Sequence, residues 1–182
     1  MEKTLKEIIS ILEKAKLNLY ALIGGLAVGG WVTPRATKDI DILLILSEIN
    51  QEVVEKGILK LLAEEGFESS FNIGDIEDEI RFCIKSISKD GIPVDMIIAT
   101  QKWERDIVEQ SLIVEVLKGV SVPVVKPEGL IVLKLKAGSF QDIADASKLL
   151  MEAPYDYKRL LALAKRARVD KRLARLMERL RL

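Results

Sequence analysis

Histidine does not occur in this chain of 182 residues, and cysteine occurs once. The first absence excludes a histidine general base, a histidine-ligated zinc and any Ser-His-Asp or Cys-His hydrolase chemistry. The lone Cys83 lies in the apolar string Phe82-Cys83-Ile84 and reads as a small buried hydrophobe, not a nucleophile. No apolar run approaches the roughly 18 residues that cross a bilayer, and the charged start (Glu2, Lys3, Lys6, Glu7) is not a signal peptide. The expectation is a cytoplasmic protein without a membrane partner. The phosphate-binding signature Gly-x4-Gly-Lys-Ser/Thr is missing, which excludes a P-loop phosphotransferase. Aromatic residues make up only 5%, so Trp31 and Trp103 read as packing groups before they read as stacking platforms. Any catalysis must therefore run on carboxylates, lysines, arginines, hydroxyls and metal.

What is present is a folded composition, 49% hydrophobic and 31% charged, with neither internal repeats nor low-complexity linkers. The net charge is zero but unevenly spread. Residues 155–182 hold ten Lys/Arg against three acids, a net of +7, which leaves −7 on residues 1–154. A basic helical tail beside an acidic body suggests a polyanionic partner, or a solvated face that docks on that body. The composition changes near Ala153-Pro154, so the expected organisation is a domain over residues 1–153 and a basic helical extension over 154–182.

Apolar spacing predicts an amphipathic helix over residues 2–17, a short strand over 17–23 closed by Gly24-Gly25, and a one- to two-turn helix in Gly-Leu-Ala-Val-Gly-Gly-Trp. A strand follows over 39–46, then a helix over 50–65 stopped by Gly66. Strands over 79–87 and 92–99 flank Asp90-Gly91, a strong hairpin signal. A helix over 103–110, a hairpin of 112–117 with 120–125 and a helix opened by Pro127 come next. Helices over 142–150, 155–166 and 170–180 finish the chain.

The chemistry concentrates in Ile23 to Leu46. There a Gly24-Gly25 turn and an Arg35-x-Thr37 pair lead into Asp39-Ile40-Asp41. Side chains alternate along a strand, so Asp39 and Asp41 project from one face. Two carboxylates held together raise the pKa of at least one unless a cation lies between them, and magnesium is commonly held by one or two carboxylates plus substrate phosphates. Asp95 interrupts the apolar run Ile92 to Ile98, where an unpaired carboxylate is costly. If that strand pairs beside 39–46, three acids converge on one sheet edge, an arrangement suited to two metals and phosphoryl transfer.

The segment IGGLAVGGWVTPRATKDIDILL, with the later VDMI, resembles the nucleotidyltransferase superfamily related to DNA polymerase beta. Within it, the Arg35-x-Thr37-x-Asp39-Ile40-Asp41 string and LKLKAGSFQDIADASKL look most like stand-alone prokaryotic enzymes, among them abortive-infection toxin-like proteins and relatives of the aminoglycoside nucleotidyltransferases. The resemblance implies an α/β fold with a twisted mixed sheet flanked by helices and a C-terminal helical part. It implies transfer of a nucleoside monophosphate from an NTP such as ATP to a hydroxyl, with release of pyrophosphate and the help of two Mg2+ ions. On this reading Asp39, Asp41 and Asp95 bind the metals, and Asp95 also helps activate the acceptor hydroxyl. Gly24, Gly25, Arg35, Thr37 and Lys134 hold the nucleotide. The acceptor classes are an RNA or tRNA end, a small molecule and a protein.

Relatives usually read Ala-Gly-Arg and then a Lys/Arg-Asp pair, whereas this chain has Ala137-Gly138-Ser139-Phe140-Gln141-Asp142. Ser139 replaces the arginine and Gln141 the basic residue. These departures support a rival reading, a catalytically weak or inactive nucleotide-binding protein that acts on a protein partner through its C-terminal helices. Retention of a repulsive carboxylate cluster supports the enzyme. Asp142 fits a helix cap as well as a ligand, and Asp145 is expected to pair with Lys148 at i+3.

Overall fold

The computed structural model describes residues 1–75 and 80–182. Its element order is α1 (Glu2–Lys14), β1 (Tyr20–Ile23), α2 (Gly24–Gly29), β2 (Ile40–Leu44), α3 (Gln51–Val54), a π-helical turn (Glu55–Leu59), α4 (Lys60–Glu64), β3 (Glu68–Ile73), β4 (Phe82–Ile87) and β5 (Pro93–Ile98). It continues with α5 (Lys102–Glu109), β6 (Leu112–Leu117), β7 (Val120–Val124), α6 (Pro127–Ala137), α7 (Phe140–Glu152), α8 (Tyr157–Arg166) and α9 (Asp170–Leu180). The α/β fold with a mixed sheet flanked by helices is the one the motifs imply.

Among the described residues the strands form one seven-stranded sheet in the order β3-β4-β5-β2-β1-β7-β6. The β2–β5 and β1–β7 pairs are parallel and the others antiparallel. The most apolar strands hold the middle of the sheet, where burial on both faces rewards a continuous hydrophobic run. In β5 Val94, Met96 and Ile98 are buried, which turns Asp95 and Ile97 to the opposite face. In register beside them, Asp41 faces Asp95 and Leu43 faces Ile97. The sheet thus presents two carboxylates side by side on one face.

Over this sheet α6 is buried almost all round, with Leu130, Ile131, Val132 and Leu135 at 0–1% exposure, and it packs against α2, α7 and α8. Pro127 opens it, and Gly138 closes it in the left-handed region at φ 74°. The C-terminal helices are tied to this core. Asp156 N donates to Glu128 Oε1 (2.7 Å), Arg166 pairs with Asp106 (2.6 Å), and Arg172 donates to the carbonyls of Leu135 and Lys136 at the end of α6.

Three sequence expectations need correction. The strand β3 was not anticipated, because this edge strand is largely exposed and its polar run Glu68-Ser69-Ser70 carries no apolar alternation. The strand expected over 39–46 is shorter, and Asp39 lies just ahead of Ile40, where pairing begins. The helix over 50–65 is interrupted by the π-helical turn around Gly57. The expected strand start at Glu79 lies outside the described residues.

Candidate active site

Gly24 leaves β1 at φ 69°, a conformation that costs glycine little and side-chain-bearing residues more. Space demands glycine here as well, since a Cβ would lie 1.8 Å from Asp41 Oδ2. At Gly25 a Cβ would lie 2.9 Å from Thr37 Oγ1 and 3.0 Å from Arg35 Nη2. The two glycines therefore let the backbone settle against the acid on one side and the Arg35/Thr37 pair on the other. Thr37 Oγ1 donates to Asp39 Oδ1 (2.6 Å), which orients that carboxylate toward the same region.

Burial, followed by repulsion from Asp39 and Asp95, pushes the Asp41 carboxyl up to about 6. Asp95 is raised too, by burial first and by Asp39, while Lys85 across from it on β4 opposes the shift. A carboxylate destabilised by neighbouring carboxylates is a group that a cation would relieve. Among the described residues no three His, Cys, Asp or Glu side chains form a cage that could hold a metal ion by themselves. A cation at Asp41 would need further oxygen ligands from a bound molecule, which is how magnesium is commonly held. The all-oxygen donor set and the raised Asp41 fit such an ion.

The cations beside the acids are fastened by one carboxylate. Asp145, 3% exposed, accepts from Arg35 Nε and Nη2 at 2.9 Å each and sits 3.1 Å from Lys134 Nζ. Gln141 Nε2 donates to it at 3.0 Å. Burial alone would raise Asp145, but the hydrogen bonds from Arg35, Gln141 and Lys134 outweigh it and pull the carboxyl down to about 2. Lys134 also donates to Asp142 Oδ1 (2.9 Å). Burial disfavours its charge, yet the bonds to Asp142 and Asp145 hold it above the usual lysine range. The expected Asp145–Lys148 pair does not form. Lys148 donates instead to the Thr33 carbonyl (2.7 Å), and Asp145 turns inward because α7 packs that face against the core.

Ser139 and Gln141, the two departures from the relatives' pattern, both have local work here. Ser139 caps α7 by accepting from Asp142 N (3.1 Å), and Asp142 Oδ2 accepts in return from Ser139 N (3.1 Å). This reciprocal capping box fixes Asp142 for Lys134. Trp103 is buried and Trp31 Nε1 donates to the Val125 carbonyl (2.9 Å), so both tryptophans pack. Cys83 is buried and its thiol is pushed up to about 11, as a core residue requires.

Two clefts meet at Asp41, Lys134 and Asp142. One, of about 470 Å³, is polar and is lined by Gly25, Arg35, Thr37, Lys38, Asp39 and Gln141. The other, of about 450 Å³, has largely apolar walls that include Leu43, Ile80, Ile97, Leu130 and Leu133, together with Gly24. Seven of the eight residues singled out in the sequence line one cleft or both. Asp95 lines neither; it stands at a shallow depression with Lys85 and Ser70, one strand over from Asp41. Asp145, Gln141 and the apolar wall were not singled out for the site. The Asp142-x-x-Asp145 spacing on one helix face was the available signal for the first of these.

A family model described as "Nucleotidyl transferase of unknown function (DUF2204)" matches residues 1–179. Among solved structures, the fold is similar to the crystal structure of ANT(2")-Ia in complex with adenylyl-2"-tobramycin. That likeness has a TM-score of 0.57 and 13% identity, covering 94% of this chain and 97% of the other. At that identity it carries the fold. No curated protein sequence matches.

Proposed function

The chain belongs to this nucleotidyl transferase family, and from that membership we propose that it transfers a nucleoside monophosphate from an NTP to a hydroxyl acceptor in a magnesium-dependent reaction. The observation that carries the proposal is the position of Asp41. Its raised carboxylate stands where a polar cleft lined by Arg35, Thr37 and Lys134 meets an apolar one. Each cleft is of a size that holds a small ligand.

The triphosphate occupies the polar side, against the Gly24-Gly25 backbone and the side chains of Arg35, Thr37 and Lys134. The acceptor hydroxyl approaches from the apolar side. Asp39 and Asp41, with Asp95, offer the oxygens that two magnesium ions would take, and the bound ions would neutralise the triphosphate. The acceptor oxygen attacks the α-phosphorus, the bond to the bridging oxygen of the β-phosphate breaks, and pyrophosphate leaves. Asp95, paired with Asp41 across β2 and β5, would complete the second metal site and help activate the acceptor hydroxyl, whose proton passes to solvent or to a carboxylate oxygen. No covalent intermediate on the protein is required, which suits a chain without histidine, and catalysis rests on positioning and charge stabilisation. The adenylylated tobramycin held by the structural neighbour supports a hydroxyl-bearing acceptor for that protein and, by fold, for this reading.

Calorimetric titration of each NTP, with and without magnesium, tests the proposal. Magnesium-dependent binding that disappears in an Asp39→Asn/Asp41→Asn double variant is expected. Undiminished nucleotidyl transfer by a correctly folded Asp41→Ala protein would sink the mechanism.

A further inference from the structure

A third depression, of about 470 Å³, lies beyond the two clefts, between α9 and the α6–α7 corner. Four cations line it, Lys136, Arg172, Arg175 and Arg179, and no carboxylate does among the described residues. Arg172, Arg175 and Arg179 recur at i, i+3 and i+7, so they share one face of α9 over roughly 10 Å of helix. Arg172 is anchored on the carbonyls at the end of α6. Arg175 and Arg179 are exposed and have no ion-pair partner among the described residues. Two exposed arginines one turn apart, Arg175 and Arg179, raise the local positive potential that draws an anion.

The groove adjoins the apolar cleft, for Lys136 and Ala137 wall both. In the chain, Phe140, fully exposed, falls between Gly138 of the groove and Gln141 of the polar cleft. We propose that this groove holds the phosphate backbone of a single-stranded nucleic acid whose terminal hydroxyl enters the apolar cleft as the acceptor. The inference rests on the nucleotidyl-transfer reading and names the acceptor class for it. The row of arginines matches a chain of phosphates, and Phe140 offers a face on which a base can stack. The adjoining cleft, about 450 Å³, is of a size that takes one small ligand, which suits the unpaired terminal nucleotide of a single strand.

The test is fluorescence anisotropy with a 5′-fluorescein 16-nucleotide RNA, its DNA counterpart and the corresponding RNA duplex. The full chain is compared with an Arg175→Gln/Arg179→Gln variant and a Lys158→Gln/Lys165→Gln variant. The second pair sits exposed on α8, away from the groove, and removes equal charge from the same tail. The groove variant should bind single-stranded RNA at least tenfold more weakly. Its salt dependence should be shallower by about 1.4 in log–log slope, two phosphate contacts at about 0.7 each. The α8 variant should lose less than twofold, and Phe140→Ala should weaken binding severalfold. Comparable DNA binding would make the acceptor any single strand; preference for RNA would narrow it. Equal losses in the two charge variants, a preference for duplex, or no binding of either strand would overturn the proposal. NTP titration of the same samples separates the two readings. Magnesium-dependent NTP binding without oligonucleotide binding defeats the groove alone, whereas oligonucleotide binding without NTP binding defeats the transfer reading.

Discussion

Asp41 is the residue at which free energy is stored against a ligand. Its folded pKa, about 6, lies above the ordinary aspartate value of 3.8. A carboxyl raised in this way contributes most stability when protonated in both states, below about pH 4, and that contribution is lost as pH rises through 6. Asp41→Asn, which removes the charge and keeps the shape, should therefore stabilise the metal-free protein by about 1–3 kcal/mol at pH 8 and leave it nearly unchanged at pH 4. Thermal melts at both pH values check this, and added magnesium should narrow the difference at pH 8. Asp145 behaves in the opposite sense. Its carboxyl is held at about 2, so its contribution is full above about pH 4 and is lost as pH falls toward 2. Asp145→Asn breaks a pair with Arg35 and weakens another with Lys134, and should cost about 3 kcal/mol near neutrality. Denaturant titrations between pH 2 and 7 should show the acid limb of the wild type flattened in the variant.

The junction of α6 and α7 is the element that turns side chains into a site. Lys134 leaves α6 one turn before its end, Gly138 reverses the chain, and Ser139 starts α7 with the capping box that sets Asp142. Ser139→Ala removes the cap and should lower stability by ~1 kcal/mol, a fall of about 2–4 °C in Tm by calorimetry. It should also weaken NTP binding, since Asp142 then holds Lys134 less firmly. The β1–α2 turn makes the complementary contribution. Gly24→Ala meets both the left-handed backbone and the Asp41 carboxylate, so loss of nucleotide binding is expected even in preparations that still fold.

Across the whole molecule, the basic C-terminal helices lie on the body that carries the compensating negative charge. Much of that docking is apolar: Leu160, fully buried on α8, belongs to the same core as Leu130 and Ile131 of α6. Leu160→Ala should lower the main unfolding transition by about 2–4 kcal/mol, as read by calorimetry, whereas a second, earlier transition would make the last helices a separately melting unit. Most of the fold was legible in the sequence. Among the described residues, periodicity and turn residues located seven of the nine helices near their observed bounds, merged α3 and α4 into one, and located six of the seven strands, because apolar spacing and turn chemistry mark them. The edge strand β3 escaped, having little to bury, and the π-helical turn escaped because one inserted residue barely disturbs the pattern. At the site, local sequence determined the glycine turn, the spacing of Asp39 and Asp41 and the intrusion of Asp95 into an apolar strand. Chemistry at those positions is a matter of residue type and parity along a strand. Only the tertiary structure decided that β2 and β5 run parallel in the register that sets Asp41 beside Asp95. It also decided that Asp145, 110 positions from Arg35 in the chain, holds that arginine. Such pairings depend on which surfaces the core brings together, and no local pattern encodes them.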